Sequence, residues 1–338
     1  MYKRSPGGQL LEILLFTLSS LVLYHTGVGI VLFLVPLQVV ASRRGMRSLL
    51  AAAGIFLAVF LLIRFWPYFL SRGQTSPDVL VWLEMGMVAL LLLGMVVINL
   101  PLQRRPRSLF MALAATAFAG IVAFPALLAL SQSAAFQRSM DALFAEVAKT
   151  LSSIFAPAAD GAAGSLVATL LEPARLRQLS EAVLLRSLLA GYAVLITFSW
   201  WAGQAAAARA PATFGVRPSF RFARFRLESW WLWPLIASGA LILLDLFFGI
   251  SAWAYAVWNI GIVLLFLYGL QGMAILWFLF DKYHLPRFLW LLLIVGFAIL
   301  AASPSVGLFI ILAVPLFGIS ENWIRYRIPR EPAPKSEP

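Results

Sequence analysis

The chain has no cysteine and only two histidines among its 338 residues, and just 12% of it is charged. Without cysteine there can be no disulfide, Cys-ligated zinc or thiol nucleophile. Catalytic signatures are missing as well: there is no HExxH, no G-x-S-x-G and no Walker A loop. Gly161-Ala162-Ala163-Gly164-Ser165 imitates a nucleophile motif only superficially. His25 and His284 fall on opposite sides of the membrane in the topology derived below. A Ser-His dyad of His25 with an outer serine is geometrically open, but no residue pattern supports it. The expectation is a non-enzymatic protein with no cofactor and no metal site. Any transport would draw on an ion gradient or a partner ATPase, because no nucleotide site is visible.

Apolar sequence is abundant: 62% of residues are hydrophobic and the mean hydropathy is +0.91. A soluble core of this size cannot hide so much apolar surface, so lipid must cover part of it. Apolar runs occupy 10–24, 27–41, 48–70, 79–100, 108–131, 182–208, 230–250, 253–280, 288–302 and 305–320. A spanning helix needs about 20 such residues. Lys3 and Arg4 before the first run resemble a signal peptide. No small-x-small cleavage site follows, so the run is read as an uncleaved first helix.

The net charge of +12 invites a nucleic-acid reading. Most Lys and Arg, however, lie in short segments between apolar runs, as the positive-inside rule requires. Two short helices turning at His25-Thr26-Gly27 keep Lys3 and Arg4 on the same side as Arg43, Arg44 and Arg47. The break at Ser303-Pro304-Ser305 likewise puts Arg287 with Arg325, Arg327 and Arg330. The other inner loops then carry Arg104, Arg105 and Arg107, then Arg209 to Arg226, then Lys282. The predicted fold is all-α: a polytopic bundle of about 8–10 spanning or half-spanning helices with both termini cytoplasmic. It divides into N-terminal membrane helices (1–131), an extracytoplasmic amphipathic insertion (132–180), C-terminal membrane helices (181–323) and a basic, Pro-rich tail (324–338). The expected location is a bacterial cytoplasmic (inner) membrane, with membrane lipids as partners and no nucleic acid.

Within the insertion, Phe136, Met140, Leu143, Phe144, Val147, Leu151 and Ile154 recur at helical spacing. Arg138, Asp141, Glu146 and Lys149 take the other face, and Pro157 and Gly161 to Gly164 break the helix. Such a helix either lies on the membrane surface or forms a lid over an outward-facing cavity.

Charge within hydrocarbon costs a few kcal/mol, so each instance needs a reason. Arg64, Glu84, Arg186, Asp245, Asn259 and His25 all map to the outer half of the membrane. One account is neutralisation: Arg64 pairs with Glu84 and Arg186 with Asp245, or the arginines snorkel to the interface. The other is a polar pocket open to the exterior. In it Arg64 and Arg186 would face an anion, Glu84 and Asp245 would accept, and Asn259 would orient. Gln271, between Gly269 and Gly272, reads as a packing residue with an interhelical hydrogen bond. Trp200, Trp201, Trp230, Trp231 and Trp233 fit aromatic belts. The loop bearing Arg217, Arg221, Arg224 and Arg226 interleaves basic and aromatic residues, which suits anionic lipid or partner docking better than RNA.

The stretch Phe220 to Leu235, Asn259, Leu267 to Gly272, Phe278 to Lys282 and the tail Gly318 to Arg327 resembles the YybS-like family of bacterial multi-pass membrane proteins. That family is in turn distantly similar to the substrate-binding subunits of energy-coupling-factor transporters. The resemblance implies a small-molecule site near the outer face and docking on a partner membrane protein or ATPase module. Such subunits dock through small residues in the first helix, whereas this chain reads Leu11-Glu12-Ile13-Leu14-Leu15-Phe16. The leading expectation is a subunit binding a small molecule or lipid in the outer leaflet, as part of a transport system. The alternative is a structural or assembly subunit of a membrane complex.

Overall fold

The computed structural model describes residues 6–70, 78–100, 108–155, 171–208, 225–249, 253–284 and 307–327, with Ala223 and scattered positions between 286 and 299. Expectations resting on Lys3, Arg4, Arg104, Arg105, Arg107, Pro157, Gly161 to Ser165, Arg209, Arg217, Arg221, Arg224 and most of the run 288–302 lie outside these residues. Every regular element among the described residues is helical. In order they are α1 (Pro6–His25), α2 (Leu34–Arg44), α3 (Met46–Leu70), α4 (Val79–Ile98), α5 (Ser108–Ser131) and α6 (Ala134–Phe155), then α7 (Pro173–Ala208), α8 (Leu232–Phe248), α9 (Ala254–Lys282) and α10 (Gly307–Ser320). Among the described residues six segments are long and apolar enough to cross a membrane: Gly8–His25, Met46–Leu70, Val79–Ile98, Pro173–Ala208, Ser229–Phe248 and Ala254–Lys282. The protein is an all-α, multi-pass membrane protein.

The chain divides into two compact units, Met1–Pro218 and Ser219–Pro338. In the N-terminal unit the first apolar stretch folds as a hairpin at the expected place. Gly27 takes φ +69, a conformation that side chains with a Cβ resist, and lets the chain reverse after His25. The return arm is shorter than its apolar run. It is a 3-10 turn at Val28–Val31 and then the 11 residues of α2, about 16 Å long and half a hydrocarbon thickness. This half-helix is enclosed by α1, α3 and α7, with Leu34, Leu37, Gln38, Val39 and Val40 buried. Above it Tyr24, Phe33, Phe56 and Phe60 form an aromatic box with ring centroids 5.2–6.2 Å apart.

The structure departs from the predicted division around residue 180. Helix α7 begins at Pro173, inside the supposed insertion, and runs 36 residues, about 54 Å. Pro173 suits a first helical position, where its missing N–H loses nothing. The Arg177–Glu181 pair at 2.8 Å supports the first turns. Helix α7 also packs on α2, α4, α5 and α6, so it belongs with the N-terminal helices rather than the C-terminal ones.

In the C-terminal unit α8 and α9 form a hairpin, and α10 lies against α9. The α9–α10 approach depends on two glycines. A Cβ on Gly272 would stand 2.1 Å from the Val314 carbonyl oxygen, and one on Gly318 would stand 2.0 Å from that of Tyr268. The backbones touch, which suits membrane helices that gain nothing by burying apolar groups out of lipid. The outward faces carry exposed Leu11, Leu14, Leu15 and Leu18 on α1 and Leu243, Leu246 and Phe247 on α8.

Candidate functional site

The N-terminal unit holds an ionic cluster at each end. At the end where α1 begins, Glu12 accepts hydrogen bonds from Arg43 Nη1 at 2.9 Å and from Arg44 Nη2. The Arg43 guanidinium also lies 5.6 Å from the Phe16 ring centroid. This is the basic end. At the far end Glu84 Oε1 accepts both Arg64 Nη2 and the Tyr24 hydroxyl, the latter at 2.7 Å. Arg64 lies 5.9 Å from the centroid of Phe60, one turn back on α3. Glu12 and Tyr24 are twelve residues apart on α1, so the clusters are separated by about 18 Å. Where α2 meets the end of α4, Gln38 and Asn99 exchange hydrogen bonds at 3.0 and 2.7 Å in a reciprocal amide pair.

The arrangement at the far end follows from helix register. Phe56, Phe60 and Arg64 recur every four residues on one face of α3, so the aromatic box leads directly to the guanidinium. Glu84 sits in the second turn of α4 and meets Arg64 across the α3–α4 hairpin. His25 follows Tyr24, its ring centroid 5.6 Å away, and its Nδ1 lies 2.9 Å from the Leu21 carbonyl oxygen.

Amphipathic α6 lies across the starts of α4 and α7. Ser139 Oγ donates to Asp78, the residue preceding α4, at 2.7 Å. From the start of α7, Arg177 reaches Asp141 and Gln137 of α6. Helices α4 and α7 therefore leave α6 side by side in the same direction. They meet again where the Tyr192 hydroxyl donates to the Leu90 carbonyl at 3.1 Å. Six residues back from that contact lie Glu84 on α4 and Arg186 on α7, both about 9 Å nearer α6 and at one depth.

Of the six predicted site residues, the structure brings Arg64 and Glu84 into contact and sets His25 beside their partner Tyr24. Arg186 shares their level. Asp245 and Asn259 belong to the C-terminal unit. There the Asp245 carboxylate accepts Trp258 Nε1 at 2.9 Å across the α8–α9 hairpin, and Asn259 Nδ2 donates to the Tyr255 carbonyl at 2.7 Å. The sequence reading overlooked Tyr24. Its signal is a lone Tyr at the end of an apolar helix, a place where an aromatic belt explains it equally well.

A second polar centre lies in the C-terminal unit. Gln271 Nε2 donates to the Gly318 carbonyl at 3.1 Å and to Glu321 Oε2 at 2.8 Å, and its Oε1 accepts the Leu227 N–H at 3.0 Å. Arg327 bridges Glu321 at 2.9 Å and the Ala223 carbonyl at 2.8 Å. Burial pulls the Arg327 guanidinium below its usual range, against the pull of the Glu321 carboxylate. The interhelical role expected for Gln271 is thus present, with a wider set of partners than the glycine spacing suggested. Among the described residues no group of His, Asp and Glu could hold a metal ion.

The model of the family described as predicted membrane protein (DUF2232) matches residues 13–314. The chain belongs to this family. The match runs from α1 into α10 and so covers both units, while Glu12, Glu321 and Arg327 lie outside it. Comparison with curated proteins and with solved structures returned no match.

Proposed function

We propose that this DUF2232 protein is a non-enzymatic membrane subunit that binds a small molecule or lipid in the outer leaflet, as part of a transport system. The carrying observation is the Tyr24–Glu84–Arg64 cluster, whose Arg64 and Glu84 side chains keep 38% and 26% of their surface exposed. Charges placed at membrane depth and still partly open are costly unless a ligand or the interface engages them. By the positive-inside rule the basic end, with Arg43, Arg44 and Arg47, faces the cytoplasm. The far end then faces outward, both termini are inside, and a bacterial cytoplasmic membrane is the natural host. The resemblance to YybS-like proteins and to energy-coupling-factor binding subunits supports a partner that supplies ATP hydrolysis. In this reading Arg64 and Arg186 meet an anionic group and Glu84 accepts, with His25 beside them; in the C-terminal unit, taken by itself, Asp245 is an acceptor and Asn259 an orienting group. The loop bearing Arg217, Arg221, Arg224 and the exposed Arg226 docks lipid or partner.

One observation favours the alternative of an assembly subunit: Glu84 is already neutralised by Arg64 and bonded to Tyr24. Native mass spectrometry of protein extracted gently from its own membrane separates the two. A retained small mass that is lost in Glu84→Gln supports the binding subunit. A retained protein partner with no such mass supports the assembly role.

A further inference from the structure

We propose that Arg64 and Glu84 form the headgroup site for a phospholipid carrying both a phosphodiester and a primary ammonium. This inference rests on the binding reading above and names its ligand class.

The argument begins with unused hydrogen-bonding capacity. A closed structural pair of Arg and carboxylate is a fork, with two N–H groups meeting two oxygens. Here a single oxygen, Glu84 Oε1, takes both the Arg64 Nη2 and the Tyr24 donors, and among the described residues no donor meets Oε2. Arg64 spends one N–H on Glu84 and also meets the Tyr24 hydroxyl, and its part-exposed guanidinium keeps further Nη N–H groups toward the outside. An acceptor and several donors therefore stand side by side, part exposed, on a pair whose formal charges cancel.

That neutrality selects the ligand. A simple anion would leave Glu84 competing for Arg64, and a simple cation would do the reverse. Either would add net charge where dielectric screening is weak. A zwitterion keeps the sum at zero, its phosphate oxygen on Arg64 N–H groups and its ammonium N–H on Glu84 Oε2. A quaternary ammonium has no N–H to give and loses the second contact.

Surroundings decide between a lipid and a free zwitterion. Arg64 lies six residues before the end of α3 and Glu84 six residues after Asp78, each about 9 Å from its helix end. Trp66, Tyr68 and Trp82 lie within four residues of the pair, with Trp66 and Trp82 exposed and the Phe65 and Trp82 rings 5.5 Å apart. Such aromatic residues mark headgroup level. One turn deeper than Glu84 stands exposed Met87, an apolar neighbour suited to the first carbons of an acyl chain.

The test uses full-length, delipidated protein in detergent, read by native mass spectrometry. It is titrated with phosphatidylethanolamine, phosphatidylcholine and phosphatidylglycerol of matched acyl chains, with soluble phosphoethanolamine as a competitor. The expected result is phosphatidylethanolamine binding about tenfold tighter than phosphatidylcholine, the scale of one charge-assisted hydrogen bond. Glu84→Gln should erase that preference, and Arg64→Lys should weaken both lipids. Glu12→Gln, at the basic end, should leave the preference intact, and thermal unfolding of each variant reports folding. Equal binding of the ethanolamine and choline lipids by the wild type, or a preference for phosphatidylglycerol, overturns the proposal. Competition by soluble phosphoethanolamine at the lipid's own concentration overturns the lipid source but keeps the chemistry. If a different small mass depends on Glu84, the lipid assignment falls and the binding-subunit reading stands. If no retained mass depends on Glu84, both fall.

Discussion

Glu321 and Arg327 form a salt bridge at 2.9 Å in which the carboxylate side chain is only 4% exposed. The same Glu321 oxygen accepts the Gln271 amide, so α9, the end of α10 and the chain at Ala223 and Leu227 meet on one buried charge. Removing the carboxylate strands a buried guanidinium, a change that costs about 3–5 kcal/mol in comparable sites. Glu321→Ala should therefore lower the thermal midpoint in detergent strongly. Glu321→Gln keeps an acceptor for both partners and should fall between that variant and the wild type.

Helix α10 lies on α9 because neither Gly272 nor Gly318 carries a Cβ. Gly272→Ala and Gly318→Ala should each cost about 1–3 kcal/mol by forcing the backbones apart. Gly269→Ala is the control: its Cβ would meet only Pro315 Cγ at 3.6 Å, an ordinary contact. Equal losses at all three positions would mean that helix propensity, not the crossing, sets the effect.

The Gln38–Asn99 pair joins the half-helix α2 to the end of α4. Either partner changed to Leu takes the amide-to-amide bonds from the other, which keeps only its local contact to Met95 or Ser42, whereas changing both removes the mismatch. A double-mutant cycle on thermal stability should give a coupling of about 1 kcal/mol, the double variant losing less than the sum of the singles.

Helix α6 is held at its first half by Arg177 and by the Ser139–Asp78 hydrogen bond. Arg177→Ala should raise hydrogen exchange across residues 134–155 and leave α3 unchanged. Uniform exchange throughout the N-terminal unit would show instead that Arg177 supports the whole fold.

The proposed orientation can be read directly because the chain has no cysteine of its own. Ala145→Cys, on an exposed position of α6, should react with a membrane-impermeant maleimide added outside intact cells. Arg47→Cys, at the basic end, should react only after the membrane is opened. The reverse pattern would invert the topology and move the Arg64–Glu84 pair to the inner leaflet.

Much of this was legible in the amino-acid order. Apolar runs located most of the described helices to within a few residues, because every backbone group in hydrocarbon must be satisfied within its own helix. The hairpin at His25-Thr26-Gly27 followed from charge placement, the α6 stripe from helical periodicity and the Arg64–Glu84 pair from adjacency across a short connection. Those signals are local, or nearly so. The start of α7 at Pro173 escaped because its first turns are polar and project beyond the apolar stretch, so hydropathy alone places the boundary too late.

What the sequence alone determined was therefore the class of protein and the course of most of its described helices. Tertiary structure decided which of the charges meet. Tyr24 reaches Glu84 across sixty residues, Glu12 is clamped by Arg43 and Arg44 of another helix, and Asp245 takes a donor from Trp258. Spacing along one helix sets the face a side chain occupies. Rotation and depth of the neighbouring helix set its partner, and those are fixed by packing between helices, as at Gly272 and Gly318, which no single segment encodes.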